Sequence, residues 1–275
     1  MNDRNVHLTL GNRGGSVEHY YHFLLGFLVP LLEVRDERDE TTFFVRSCAV
    51  MDRLLREVVR DRMVVVDRDV HQRIGEGMAS MGVEGYDTPV AYDRDVFLRA
   101  RRTVESLLRG RIEALRAEFV SGLAPDRPVI VLIDREAPHA FYQSEHCEIR
   151  GAGASRRSIP NGAELESALA AESSNVLRVS LEEHSLAWQF ALFSLADVVV
   201  AQHGAALANL LWCRPSAAVV EIHPDDMAPQ LEDKGFFSRL SGCLGLTYEQ
   251  VRQHGSHGAV DAGAVVAAVR DALGC

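Results

Sequence analysis

The sequence predicts an α/β protein built on parallel sheets. That expectation rests first on short, continuous apolar runs rich in β-branched residues: Val129–Ile133, Asp197–Ala201 and Ala218–Ile222. Such runs are what strands buried on both faces require. Segments with apolar residues at helical spacing alternate with them, the pattern of strand–helix–strand units. One of these strands also opens directly into a small, glycine-containing turn, Gln202-His203-Gly204-Ala205-Ala206, followed by a further helix from Leu207. At the carboxyl end of a strand such a turn offers backbone N–H groups and the positive end of a helix dipole, a place for a phosphate or diphosphate.

From the N-terminus, Val6–Leu10 alternates weakly as a first strand, and Gly11–Ser16 is a glycine-rich turn. His19–Glu33 reads as a helix, apolar on nearly every side and therefore buried, ending near the acidic run Glu33–Glu40. Its start holds Glu18, His19, Tyr20, Tyr21 and His22, either a cap region with aromatic packing or the beginning of an active-site helix. Phe43–Val45 and Met63–Val66 are strands separated by an amphipathic helix over Met51–Arg60. Gln72–Pro89 is glycine-rich and reads as a loop lining a cleft. Asp93–Phe119 is a long helix whose alternating charges form a solvated face. Gly122–Pro128, with two prolines and a break in composition, reads as the linker between domains at 1–122 and 128–275.

Beyond it, strand Val129–Ile133 ends in Asp134-Arg135-Glu136. An arginine there can reach a diphosphate, or pair with Asp134 or Glu136. Ala137–Ser158 lacks periodicity and carries His139, His146, Arg150, Arg156 and Arg157, a mobile and partly basic loop. Asn161 and Glu164 have the spacing of a capping box. Strand Val176–Leu181 and helix Ser185–Ser194 precede the glycine turn, and Pro215 stops the helix after it. A helix over Gln230–Leu240, a short strand Leu246–Tyr248 and a terminal helix Val260–Leu273 complete the chain.

Composition narrows the function. A chain of 275 residues, 47% hydrophobic, buries a full core as one large or two modest domains. A net charge of −10 argues against nucleic-acid binding. Of 29 cationic residues 28 are arginine and one is Lys234, a compositional bias that makes any single arginine weak testimony. The five cysteines are odd in number, scattered and without zinc spacing, pointing to a reducing compartment. With no signal-peptide pattern and no apolar run of ~18 residues, the expectation is a soluble, cytoplasmic protein. No cofactor or metal is expected: Asp67-x-Asp69 lies among charged residues, and Asp225-Asp226 reads as a turn.

The phrase Ala196-Asp197-Val198-Val199-Val200-x-x-His203-Gly204-Ala205-x-Leu207-x-Asn209, followed by Pro215 and Val219-Val220-Glu221-Ile222-x-Pro224, resembles the signature of family 61 glycosyltransferases. His19–Glu33 is similar to that family's Asn-Tyr-Tyr-His-Trp helix, with His19 and Phe23 as departures and His22 at the histidine. Ile133-Asp134-Arg135, and Arg157 with Asn161 and Glu164-Leu165, resemble its Ser-Arg and Arg…Asn-Glu-x-Glu-Leu elements. Gln189 is present, but Trp188 stands where the family has a glutamate.

The resemblance implies a GT-B arrangement, two Rossmann-like domains facing a cleft, with the last helix packing back across their junction. It implies inverting, metal-independent transfer from a nucleotide diphosphate sugar, UDP-linked, to a hydroxyl of a glycan or other acceptor. Donor-side candidates are Arg135, Arg157, His203, Gly204, Ala205, Ala206, Asn209 and Glu221. Gly204, Ala205 and Ala206 lack bulk, His203 is an imidazole donor or a structural hydrogen-bonder, and Asn209 binds phosphate or ties its own turn. Glu221, on a buried strand and costly unless paired, is the candidate for the ribose hydroxyls. Candidate bases are His22 and Glu18, with His19 beside them. Two alternatives stay open: a different GT-B-like transferase, such as a polysaccharide pyruvyl transferase, against which the Tyr-Tyr-His helix argues, and a non-catalytic nucleotide or sugar binder.

Overall fold

Among the described residues every strand runs parallel to its neighbours, in two separate sheets. A computed structural model describes residues 5–11, 14–34, 41–59, 63–227 and 234–274. The chain divides into two compact units, Met1–Leu108 and Arg109–Cys275. The division falls inside the helix Arg94–Ser121, which begins in the first unit and ends in the second.

The first sheet holds β1 (Asn5–Gly11), β2 (Thr42–Arg46), β3 (Met63–Val66) and β4 (Ser80–Glu84) in the order β3-β2-β1-β4. The direction of winding changes between β1 and β4. Residues 72–89, expected to be a loop, instead end the helix Arg68–Gly75 and form β4, registered against β1 from His7↔Ser80 to Gly11↔Glu84. Only Met81 and Val83 are branched or long apolar residues in that edge strand, too few to carry a strand signature. The helix expected over 51–60 shortens to a 3-10 turn, Ala49–Met51, and the α-turn Asp52–Leu55. Its start is tied down by the Asp52 carboxylate, which accepts from Ser47 Oγ and Cys48 N at 2.6 Å each. The acidic run beyond Val34 and residue 60 lie outside the described residues.

The apolar helix of this unit runs as Tyr20–Phe23, a π-helical turn Leu24–Leu28, and Val29–Val34. Phe23, Leu24, Leu25, Phe27 and Leu28 are fully buried, as the all-round apolar pattern demands. The π turn leaves the Leu25 carbonyl to accept Tyr86 N–H at 2.9 Å. Gly85 lies against Gly26 so closely that a Cβ on it would stand 3.0 Å from the Gly26 Cα. These contacts hold the start of the helix beside the chain leaving β4.

The second sheet holds β5 (Val129–Ile133), β6 (Asn175–Val179), β7 (Val198–Gln202), β8 (Ala218–Pro224) and β9 (Thr247–Gln253), ordered β6-β5-β7-β8-β9. Here the winding reverses between β5 and β7. One face packs Ile130, Leu132, Val198, Val200, Val220 and Ile222 against the helices Gly162–Ala170 and Ala262–Leu273. The intervening residues, Val131, Val199 and Val219, are buried on the opposite face. Strand β9 extends well past the expected 246–248 because its edge position leaves Thr247, Gln250 and Arg252 exposed, which masks the alternation.

Local chemistry sets the ends. Ser185 Oγ accepts from Trp188 N at 3.1 Å and starts the helix Leu186–Leu195. Asp261 caps the last helix through Ala264 N at 3.1 Å, and Gly274 closes it at φ +73°. Asn161 does not form the expected capping box. Its amide bridges Val260 N and O at 2.9 and 2.8 Å and meets Glu164 Oε2 at 3.1 Å, fastening one helix start to another. Residues 236–244 form the helix expected near 230–240, whose first part lies outside the described residues. The segment 122–128 is pinned to the second unit by Asn175, whose side chain bonds Ala124 N, Ala124 O and Arg127 O at 2.7, 2.8 and 3.0 Å.

Candidate functional site

In open parallel sheets ligands sit at the carboxyl ends of strands where the winding reverses. In the second unit that place lies between the ends of β5 and β7, and it holds Arg135 and His203-Gly204. His203 N continues the ladder to the Ile222 carbonyl at 2.8 Å. The His203 carbonyl then accepts two guanidinium bonds, from Arg135 Nη2 and Arg157 Nη1, both 2.8 Å. A Cβ on Gly204 would lie 1.7 Å from Arg135 Nη2, so a side chain here would have to displace the guanidinium. Ala205–Trp212 follows as a 3-10 helix whose first bond runs from Leu207 N to the Gly204 carbonyl at 3.0 Å. The N–H groups of Gly204, Ala205 and Ala206 therefore precede the ladder.

The alternative of an ion pair within Asp134-Arg135-Glu136 is not what forms. Asp134 takes Arg178, at 2.9 Å to Nε and 2.5 Å to Nη2, and Glu136 accepts from Ser180 Oγ. Among the described residues neither Arg135 nor Arg157 forms an ion pair with a carboxylate. Burial and the neighbouring Arg157 push the Arg135 guanidinium down to about 10, and burial followed by repulsion from Arg156 lowers Arg157. Two half-buried positive charges are thus held together without a direct ion pair, with Glu182 acting on Arg135 and Asp226 and Glu221 on Arg157 only through space. Arg157 is steadied through Ser158, whose carbonyl accepts from Gln202 Nε2 at 3.1 Å and Gln253 Nε2 at 2.9 Å.

Behind this turn the His203 imidazole Nδ1 meets Glu221 Oε1 at 2.5 Å, and Tyr248 OH donates to Glu221 Oε2 at 2.6 Å. The buried carboxylate is thereby satisfied. Burial lowers the His203 pKa against the opposing pull of Glu221, and burial also raises the Tyr248 hydroxyl. His203 stands edge-on to His223 and Phe237, with ring centroids 5.2 and 5.1 Å away. An open pocket is lined by His203, Glu221, His223, Phe236, Tyr248 and Gln250 among others. Asn209 is fully buried and its amide donates to Gln189 Oε1 and the Ala206 carbonyl, both 3.1 Å. Of its two readings, tying the turn is the one its contacts match.

In the first unit the corresponding reversal lies between β1 and β4, and it holds the glycine turn, His22 and Asp87. His22 Nδ1 is 2.7 Å from Asp87 Oδ2, and Gly14 N reaches the same oxygen at 3.3 Å. Asp87 is fully buried, and the His22 side chain is 23% exposed. Tyr21 stands edge-on to His22 at 5.1 Å and shares a 2.6 Å hydroxyl bond with Tyr92. Glu18 is buried, its backbone N–H donating to Ser16 Oγ at 3.1 Å, and His19 is the extended N-cap residue whose carbonyl receives Phe23 N at 2.8 Å.

The glycosyltransferase 61 family model matches residues 20–220. The chain belongs to glycosyltransferase family 61. A stretch of 76 residues, 27% of the chain, is 43% identical to Protein O-linked-mannose beta-1,4-N-acetylglucosaminyltransferase 2 of Tetraodon nigroviridis. The chain spans only 13% of that longer protein. Where the family 61 pattern has a glutamate, Trp188 stacks flat on His184 at 3.5 Å and edge-on to Phe119 at 5.3 Å.

This family 61 member brings Arg135, Arg157, His203, Gly204 and Glu221 to one strand edge, and it keeps Asn209 in the support beneath. Sequence reading missed Asp87, Tyr248 and His223. Asp87 fell in a segment read as loop, 65 residues from its partner. Tyr248 and His223 are recognisable only once β8 and β9 are paired. Among the described residues one group has the makings of a cation site: ligand atoms of His203, Glu221 and His223 lie within 4.8 Å of one another. Both carboxylate oxygens of that group are already engaged, by His203 and Tyr248.

Proposed function

We propose that this family 61 chain is an inverting glycosyltransferase that moves a sugar from a UDP-linked donor to a hydroxyl of a glycan or other acceptor, without a divalent metal. The convergence of Arg135 and Arg157 on the Gly204 turn, with no carboxylate pairing either, carries the reading. Two guanidinium charges and leading backbone N–H groups suit a diphosphate, whose negative charge grows as the sugar departs. Preorganised arginines supply what a magnesium ion supplies elsewhere. The pocket beside Glu221 is assigned to the nucleoside, with the remaining acceptor capacity of Glu221 directed to a ribose hydroxyl.

Proton removal from the acceptor is assigned to His22 of the first unit, whose partly exposed imidazole bonds Asp87 through Nδ1 and leaves its second nitrogen for the acceptor. Glu18 takes second place because its residue is buried. The likeness to a named β-1,4-N-acetylglucosaminyltransferase makes UDP-N-acetylglucosamine the first donor to try. A melting-temperature panel of UDP, GDP and CMP in EDTA tests the donor half. UDP at ~100 times its dissociation constant adds about 2.7 kcal/mol, read as a rise in melting temperature. Stabilisation that requires magnesium or manganese would defeat the metal-free assignment.

A further inference from the structure

We propose that Asp87 is the positioning residue for His22: it fixes the imidazole as the Nδ1–H tautomer, so that Nε2 is the atom that takes the acceptor proton. This rests on the reading of His22 as the base. An ionised carboxylate only accepts hydrogen bonds. With Asp87 Oδ2 2.7 Å from Nδ1, the ring must donate there, and the lone pair falls on Nε2. Gly14 N–H on the same oxygen helps hold the carboxylate in place.

The glycine turn packs its backbone against the His22 ring, where a side chain has no room. A Cβ at position 15 would lie 2.1 Å from Nε2, and one at position 14 would lie 3.8 Å from Cε1. Gly15 also sits at φ +61°, which any other residue adopts only with strain. Among the described residues the His22 side chain has no hydrogen bond other than that to Asp87.

The same unit shows what a purely structural histidine pair looks like. His7 Nδ1 meets Ser80 Oγ at 3.1 Å, His7 Nε2 meets His71 Nδ1 at 3.2 Å, and His71 Nε2 meets the Leu8 carbonyl at 3.0 Å. All four ring nitrogens of that pair are used inside the fold. His22 uses one and leaves the other at a partly open strand edge where the winding reverses.

In the step this supports, the acceptor O–H bond breaks and its proton passes to His22 Nε2. The oxygen forms the new bond to the anomeric carbon of the nucleotide sugar. The bond from that carbon to the diphosphate breaks, and its electron pair leaves with the diphosphate. Asp87 stays ionised and stabilises the imidazolium.

The test pairs kinetics with nitrogen-15 NMR of the histidine rings, on wild type, Asp87→Asn and His22→Ala. Wild type should show His22 as the Nδ1–H tautomer. Asn at 87 can donate an amide N–H to Nδ1, so the Asp87→Asn ring should switch to Nε2–H. Its kcat should fall about 10²–10⁴-fold, with donor KM and the UDP melting shift unchanged. An Asp87→Asn enzyme of wild-type kcat, while His22→Ala is slow, overturns the positioning role. If His22→Ala also turns over normally, the base assignment has failed, and the tautomer switch still decides whether Asp87 orients the ring. Should the Asn variant not fold, an Nε2–H signal for wild-type His22 overturns the proposal.

Discussion

A side chain at 204 would meet a guanidinium. The sequence suggested that small size there lets a phosphate approach, but the nearest obstacle to a side chain is Arg135 Nη2. Gly204→Val should therefore displace Arg135 and weaken UDP binding, as should Arg135→Ala itself, by roughly 1.5–3 kcal/mol for a lost charged hydrogen bond. Calorimetric titration of UDP on folded variants reads this directly, and an unchanged affinity contradicts it. Histidines respond to pH in a definite direction. Burial depresses both His71 and His203, so the folded state binds fewer protons than the unfolded chain. Their penalty is absent well above the unfolded value of about 6.5, and it grows as pH falls below that value toward their folded pKa values. The melting temperature should drop between pH 7.5 and 5.5, and the drop should shrink in His71→Gln, a contrast that differential scanning calorimetry can follow. A motif made His22, Arg135, His203 and Glu221 legible as candidates: His22, Arg135 and His203 lie at or just past helix or strand ends, whereas Glu221 sits mid-strand in β8, which runs on to Pro224. Asp87 and Tyr248 stayed hidden because their partners are remote in the chain and nothing local marks a buried carboxylate or hydroxyl.

At the scale of elements, the buried strands β5, β7 and β8 were legible because burial on both faces forces continuous apolar runs. Edge strands β4 and β9 face water on part of their surface, so their mixed composition concealed them. The network under the Arg157 loop was equally invisible, since Gln202 and Gln253 bond each other and the backbone carbonyls of Ser158 and Gly258, all remote in the chain or unmarked by side-chain type. Gln253→Ala removes bonds of 2.9 and 2.6 Å to the Ser158 and Gly258 carbonyls. Affinity for UDP should fall along with stability, because Arg157 loses its support. A melting temperature that falls with UDP affinity intact would show the network to be structural only. On the packed face of the second sheet, Leu165 is fully buried. Leu165→Ala should cost about 2–5 kcal/mol of stability, measured by denaturant unfolding, while a folded sample keeps its affinity for UDP.

For the molecule as a whole, the two parallel sheets followed from the alternation of strand and helix, and the family followed from blocks spread over residues 19–224. The strand orders did not, because pairing partners leave no mark on a single sequence. Those orders matter most for function: each unit reverses its winding once, and each reversal gathers one set of candidate residues. On the function proposed above, diphosphate chemistry falls to the second unit and proton chemistry to the first. Steady-state kinetics of Arg135→Ala and His22→Ala with UDP-N-acetylglucosamine, or whichever UDP-sugar the wild type turns over, tests that division directly. Arg135→Ala should raise donor KM strongly, and His22→Ala should lower kcat about 10²–10⁴-fold with UDP affinity near wild type. If His22→Ala instead lowers the melting temperature while folded enzyme keeps its kcat, His22 is a packing residue and the division of labour is wrong.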